Sequence, residues 1–352
     1  MSGTKWTSPV FISLLVLVLQ NSMLVIMTRY SRTNVPPEMR YHTSTLILNQ
    51  EIVKMLFCII IFIVENDFIS RPPPEIQGNT VVTPSSLTLL WRVVFQKETL
   101  KMSVPAALFT LQNYLIFIGL SNLDATTFQV WSQTKLLSAA VFSVVMLGRR
   151  LSMMQWMSLF VLTLGVLLTQ QQPQQPQQPE SGGVAMKEPA RLSQQPLLGV
   201  AACVLSGLSS SYAGVYFEKV VKTTTPSLAV RNIHLSLFGI PFAALSLLLL
   251  DVLPRRRGPN ALEFHYWRGY NQWLTIALVA VHAFGGLLVA IVVKYADNVV
   301  KGFATGVAVI VSGGLSFIIW GQIPSSSFVT GCMLITFATV MYHKFEDRTQ
   351  SR

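Results

Sequence analysis

One lysine stands alone inside an apolar run. Residues 127–148, TFQVWSQTKLLSAAVFSVVMLG, carry a single charge, Lys135. On insertion scales a lysine at mid-membrane costs at least ~2.5–3.5 kcal/mol. A cation kept there against that cost is expected to face a watery cavity and to meet an anion that comes and goes. Gln112, Asn113, Gln129, Ser132 and Gln133 cluster in neighbouring turns. Phe128 lies seven residues before Lys135, two turns away on the same helix face. An aromatic ring and an ammonium on one stripe suit a base and a phosphate. Three further cations fall inside apolar runs: Lys54, Arg231 and Lys301. Glu51 precedes Lys54 by three residues and shares its face, so the pair either neutralises itself or lines a pocket. For Lys301 the alternative is snorkelling past the nearby Asp297 end. Ser206, Ser209, Ser210, Ser211, Tyr212 and Tyr216 punctuate one later run, and Asn232, His234 and Ser236 another. Each serine has helix packing as its alternative. His234 and His282 either relay protons or make ordinary hydrogen bonds.

These residues need elements to hold them. The chain has 352 residues, 51% hydrophobic and 12% charged, against about 25% charged in soluble proteins. It reads as an all-α polytopic membrane protein. A crossing helix needs about 20 apolar residues, and ten such runs are present: 8–29, 42–64, 102–120, 125–147, 152–170, 197–217, 228–250, 271–293, 299–320 and 324–342. The first run has no small-residue cleavage site after it and is expected to be retained. A Pro/Gln-rich polar tract, 171–196, cannot form a core and reads as a flexible loop. It separates a first five-helix repeat, 1–170, from a second, 197–343, with a tail at 344–352. An odd helix count per half inverts the second half, as in many secondary transporters. A trace of the repeat is visible. Asp124 precedes Gly148 by 24 residues, and Asp297 precedes Gly321 by 24. Lys135 and Lys301 stand eleven and four residues after those aspartates, so seven apart in a common frame and on equivalent faces. With both termini cytosolic, thirteen Lys and Arg residues fall on the cytosolic face and nine on the other, the sense that positive-inside favours.

Composition also excludes classes. The net charge of +11 sits mostly between apolar runs, where membrane proteins keep it, so nucleic acid is not an expected partner and membrane lipid is. The three cysteines, Cys58, Cys203 and Cys332, lie in separate runs and imply neither disulfide framework nor metal site. No GxxxxGK[ST] loop indicates an ATP-driven pump. There is no HExxH, GxSxG or DxD, and no cofactor is implied. A glycan-processing membrane enzyme would need a carboxylate pair that is absent. A proton-coupled metabolite exporter would need an unpaired intramembrane carboxylate, whereas Glu51 has Lys54 beside it.

At these same residues the sequence resembles the Golgi nucleotide-sugar transporters of the drug/metabolite transporter superfamily. The matching strings are QNSMLVIMTRYSRT, LQNYLIFIGLSNLDATTFQVWSQTKLLSAAVFSVVMLG, AGVYFEKVVK, VRNIHLSLFGI and VVKYADNVVKGFAT. The resemblance implies ten helices in two inverted halves, both termini cytosolic, and exchange of a cytosolic nucleotide sugar for a lumenal nucleoside monophosphate in the Golgi membrane. It makes Lys135 and Lys301 phosphate contacts, and Glu51, Lys54, Asn113, Ser210, Gly214 and Asn232 pocket positions. Ser236 joins them as a polar neighbour of Asn232. Where the family commonly reads YQVTYQLK this chain has FQVWSQTK, so Phe128 and Ser132 replace two tyrosines. RYSRT and KYADN are most similar to the UDP-galactose and UDP-N-acetylglucosamine branches, and the CMP-sialic acid branch usually has threonine within the second string. The Gln/Pro tract and LNQEIVK are similar to fungal members, which favours UDP-galactose over UDP-N-acetylglucosamine. The expected partners are thus a UDP-sugar and UMP, with a homodimer open.

Overall fold

The computed structural model describes residues 8–36, 39–69, 75–77, 80–82, 85–123, 125–170, 195–224, 226–253, 264–321 and 324–350. The helices are α1 Ser8–Thr33, α2 Thr43–Val64, α3 Ser86–Val94, α4 Ser103–Asn122, α5 Ala125–Ser132, α6 Thr134–Leu147, α7 Met153–Gln170, α8 Pro196–Thr223, α9 Leu228–Leu247, α10 Trp273–Tyr295, α11 Asn298–Trp320 and α12 Ser326–Gln350. Among the described residues, nine helices are long and apolar enough to cross a membrane, with α5 and α6 together supplying one of them as Thr127–Leu147. Helix α4 has 20 residues and stands where the remaining run, 102–120, was expected; it is not among those nine.

Four features differ from the sequence reading. The run 125–147 is not one unbroken helix: it is interrupted at Gln133, between α5 and α6. A two-stranded antiparallel ribbon pairs Glu75–Gln77 with Thr80–Val82. Helix α3 was not anticipated. Ser85 caps it by accepting the Thr88 N–H at 3.3 Å. Its Leu89, Leu90, Val93 and Val94 pack on Cys58, Phe62, Ala229, Val230 and Ile233 of α2 and α9. Helix α12 also continues past the expected span end, to Gln350. Of the polar tract 171–196, only Gln195 and Pro196 fall within the described residues.

The chain divides into two compact units, and the divisions fall inside α4, α8 and α11. One contains residues 6–110 and 216–301, the other 111–215 and 302–352. Each therefore draws on both sides of the polar tract. In the first unit, Met27, Tyr41, Leu46, Leu274, Leu278 and Val279 form a core between α1, α2 and α10. In the second, α7 and α12 lie backbone to backbone. A Cβ on Gly331 would come within 2.6 Å of the Gly165 carbonyl oxygen, so only small residues permit this crossing. The two glycines matched in the sequence, Gly148 and Gly321, both take left-handed φ, 66° and 65°, and each follows the last turn of its helix. A left-handed residue closes a helix, and glycine adopts it without Cβ strain.

Candidate functional site

In the unit holding 111–215 and 302–352, the candidate residues gather around the break at Gln133. Phe128 lies midway along α5, Ser132 ends it, and Lys135 lies in the first turn of α6. The break is made by three-residue backbone bonds, Gln133 N–H to Val130 O at 3.2 Å and Leu136 N–H to Gln133 O at 3.0 Å. A helix start leaves N–H groups without intrahelical acceptors and carries the positive end of the helix dipole. Lys135 therefore adds an ammonium where the backbone is already electropositive.

Helix α8 holds that backbone in place. Ser211 Oγ donates to the Lys135 carbonyl at 2.5 Å. A Cβ on Gly207 would lie 3.0 Å from the Lys135 nitrogen, so the two helices touch along their main chains. Phe142 and Tyr212 meet edge to face at 5.5 Å between ring centres. Phe128 is half-buried against Gly119, where an added Cβ would be 3.2 Å from its ring. The Lys135 side chain is exposed and meets no carboxylate within ion-pairing reach among the described residues. Its main chain is fixed and its ammonium is open.

The companions divide. Asn113 on α4 is exposed, and Ser210 on α8 is half-buried. Gly214, one turn further along α8, is buried. Ser132 Oγ is turned into its own helix, donating to the Gln129 carbonyl at 2.8 Å. Two buried oxygens flanking Asn113 lack partners among the described residues, Gln112 Oε1 and the Tyr114 hydroxyl. Sequence reasoning named Gln112 and overlooked Tyr114. Its signal was adjacency: a tyrosine beside a Gln–Asn pair within an apolar run.

In the unit holding 6–110 and 216–301, Glu51, Lys54 and Ser236 come together. Lys54 Nζ lies 2.6 Å from Glu51 Oε2 and 2.7 Å from Oε1. Ser236 Oγ donates to Glu51 Oε2 at 3.0 Å. Two glycines make room: a Cβ on Gly286 would be 2.9 Å from Lys54 Cδ, and one on Gly239 would be 3.1 Å from Glu51 Oε2. Neither glycine was singled out from sequence, because its signal is the side chain opposite. Asn232 is buried and donates to the Leu228 carbonyl of its own helix at 2.9 Å. His234 Nε2 lies 3.2 Å from both the Thr99 hydroxyl and the Val93 carbonyl oxygen. Lys301 is half-buried in the first turn of α11. Asp124, the proposed start of the span that carries Lys135, lies outside the described residues.

Comparison with known proteins bears on what this arrangement serves. A family profile described as "Nucleotide-sugar transporter" matches residues 8–343. The chain is 38% identical over 340 residues to the UDP-N-acetylglucosamine transporter of Rattus norvegicus, covering 94% of each. It is 39% identical over 333 residues to the UDP-galactose translocator of Bos taurus, covering 94% of this chain and 77% of the translocator. A crystal structure superposes with a TM-score of 0.64 at 15% identity, over 97% of this chain and 99% of the other, a likeness of fold.

Proposed function

Because the chain belongs to the nucleotide-sugar transporter family, we propose that it exchanges a cytosolic UDP-sugar for lumenal UMP across the Golgi membrane by alternating access. Ten helices cross, with α4 the tenth, in two inverted halves with both termini cytosolic. UDP-galactose is the first substrate, on the strings shared with that branch. UDP-N-acetylglucosamine is the second reading, supported by relatives of both names matching at nearly equal identity.

The observation that carries this reading is Lys135. It is an exposed lysine at the break of a membrane helix, with its backbone clamped by Ser211 and Gly207. Such a group suits a phosphate that must bind and leave, since no carboxylate among the described residues neutralises it. Lys301 is the second phosphate contact. UMP and a UDP-sugar share the phosphate next to the ribose, so both exchange partners use the same cations. Phe128 stacks on the uracil. Asn113, Ser132, Ser210 and Gly214 are assigned to the ribose and sugar, and Glu51, Lys54, Asn232 and Ser236 are assigned to substrate as well. The closed pairing of Glu51 with Lys54 speaks against a proton-driven exporter, which needs a free carboxylate.

Reconstituted liposomes test this. Vesicles loaded with UMP are expected to take up labelled UDP-galactose several-fold faster than empty ones, with no pH gradient imposed. Equal uptake into both, or uptake that requires a proton gradient, overturns the exchange reading. Labelled UDP-N-acetylglucosamine in the same vesicles decides the sugar.

A further inference from the structure

Glu218 of α8 has no exposed surface at all, yet it is a carboxylate in a membrane protein. Burying a charge is costly unless it is paired and hydrogen-bonded. Both of its oxygens are engaged. Oε1 receives Lys222 Nζ at 2.8 Å, one helical turn along α8. Oε2 accepts the backbone N–H of Asn298 at 3.0 Å, the first residue of α11. Lys222 Nζ also donates to the Ala296 carbonyl at 2.6 Å. The corner between α10 and α11 is thus gripped from α8 on both its acceptor and its donor side. Asp297 completes the corner, its Oδ1 accepting the Val300 N–H at 2.7 Å. The Asp297 carbonyl accepts the Lys301 N–H at 3.0 Å.

An N-cap aspartate alone is enough to start a helix. The second carboxylate, buried and paired, serves position rather than initiation. A negative charge at a helix N-terminus is favourable and forms strong bonds to backbone N–H groups. Three residues beyond Asn298 stands Lys301. Binding groups must be held to within about half an ångström to bind fully.

We infer that Glu218, with Lys222, is a positioning residue for Lys301: the pair locks the start of α11 so that the Lys301 ammonium is presented to the nucleotide phosphate. This rests on the phosphate role proposed for Lys301. The contribution is to phosphate affinity, and the nucleoside part of the ligand is left alone.

The test compares UMP with uridine, which lacks the phosphate, by equilibrium binding to the purified full-length protein. In Glu218→Gln the amide still accepts from Asn298, but the charge and the Lys222 pair are lost. UMP is expected to weaken about tenfold while uridine stays within about twofold. Lys222→Met is expected to do the same, and the double variant to be no weaker than Glu218→Gln alone, because both residues serve one latch. A merely structural defect lowers both ligands together or lowers neither, and either outcome overturns the inference. Should Glu218→Gln fail to fold, Lys222→Met carries the same comparison, since its side chain is partly exposed and tolerates change. Lys301→Ala is the reference. If it weakens UMP selectively and the latch variants do not, only the inference fails. If it leaves the UMP-to-uridine ratio unchanged, the phosphate role of Lys301 fails and takes the inference with it.

Discussion

At the scale of single residues, each charge acts according to the company it keeps. Glu51 and Lys54 spend their charges on one another, with Ser236 on the second carboxylate oxygen. Lys135 spends its charge on nothing among the described residues. Lys135→Ala is therefore expected to abolish exchange while the protein stays folded, because no ion-pair partner among the described residues is orphaned. Arginine is expected to rescue poorly, since its planar fork does not reproduce a compact ammonium. Exchange activity beside a detergent-stability profile checks both; normal transport by Lys135→Ala would make the lysine structural. Phe128 offers an aromatic face, and stacking on a base is worth about 1–3 kcal/mol. Phe128→Ala is expected to weaken UMP by about tenfold, measured as Kd. Unchanged affinity would place the base elsewhere. By contrast, Glu51→Gln leaves the buried Lys54 without its counter-charge, and breaking a buried pair costs about 3–5 kcal/mol. The expected outcome is a large loss of thermal stability alongside any loss of transport.

Elements decide what those residues can reach. The break between α5 and α6 gives Lys135 a helix start instead of a helix middle. Helix α8 reaches the broken backbone only because position 207 has no side chain. Gly207→Val would place methyl groups where 3.0 Å already separates Cβ from the Lys135 nitrogen. Overpacking of this kind typically costs about 1–3 kcal/mol. The variant is expected to lose exchange more than it loses melting temperature, because the strain falls on the residue proposed to bind phosphate. Gly331→Val, at the α7–α12 crossing, is the control. It is expected to lose stability, with exchange per folded molecule retained. Equal effects of the two on exchange would remove the special role given to the α5–α6 break.

For the whole molecule, stability is expected to follow ligand occupancy. A ligand that binds only the folded state adds RT ln(1 + [L]/Kd), about 2.7 kcal/mol at one hundred times Kd. UMP and UDP-sugars are expected to raise the melting temperature, and AMP and a proton-exporter substrate panel are expected to leave it unchanged. CMP tests the CMP-sialic acid alternative in the same plate. A shift with AMP equal to that with UMP would remove the base selectivity assigned to Phe128.

Much of this protein was legible in order along the chain. The apolar runs fall within a few residues of helices in the structure, because lipid leaves the backbone no partner except its own helix. Lys135 was visible as an anomaly, because a charge in an apolar run is costly wherever the helices go. The helix-ending glycines at 148 and 321 were visible too, because a left-handed residue is a local demand. Other features belong to the tertiary structure alone. That Ser236 joins the Glu51–Lys54 pair, that Gly286 and Gly239 make room for it, and that Glu218 grips Asn298 all join residues far apart in sequence. The break at Gln133 has the same origin. Residues 125–147 contain no proline or glycine to announce it, and α8 packs against the backbone there. Periodicity and composition report what a segment does with its own neighbours. Packing decides which distant side chain meets it, and that is set only when the helices have chosen their contacts.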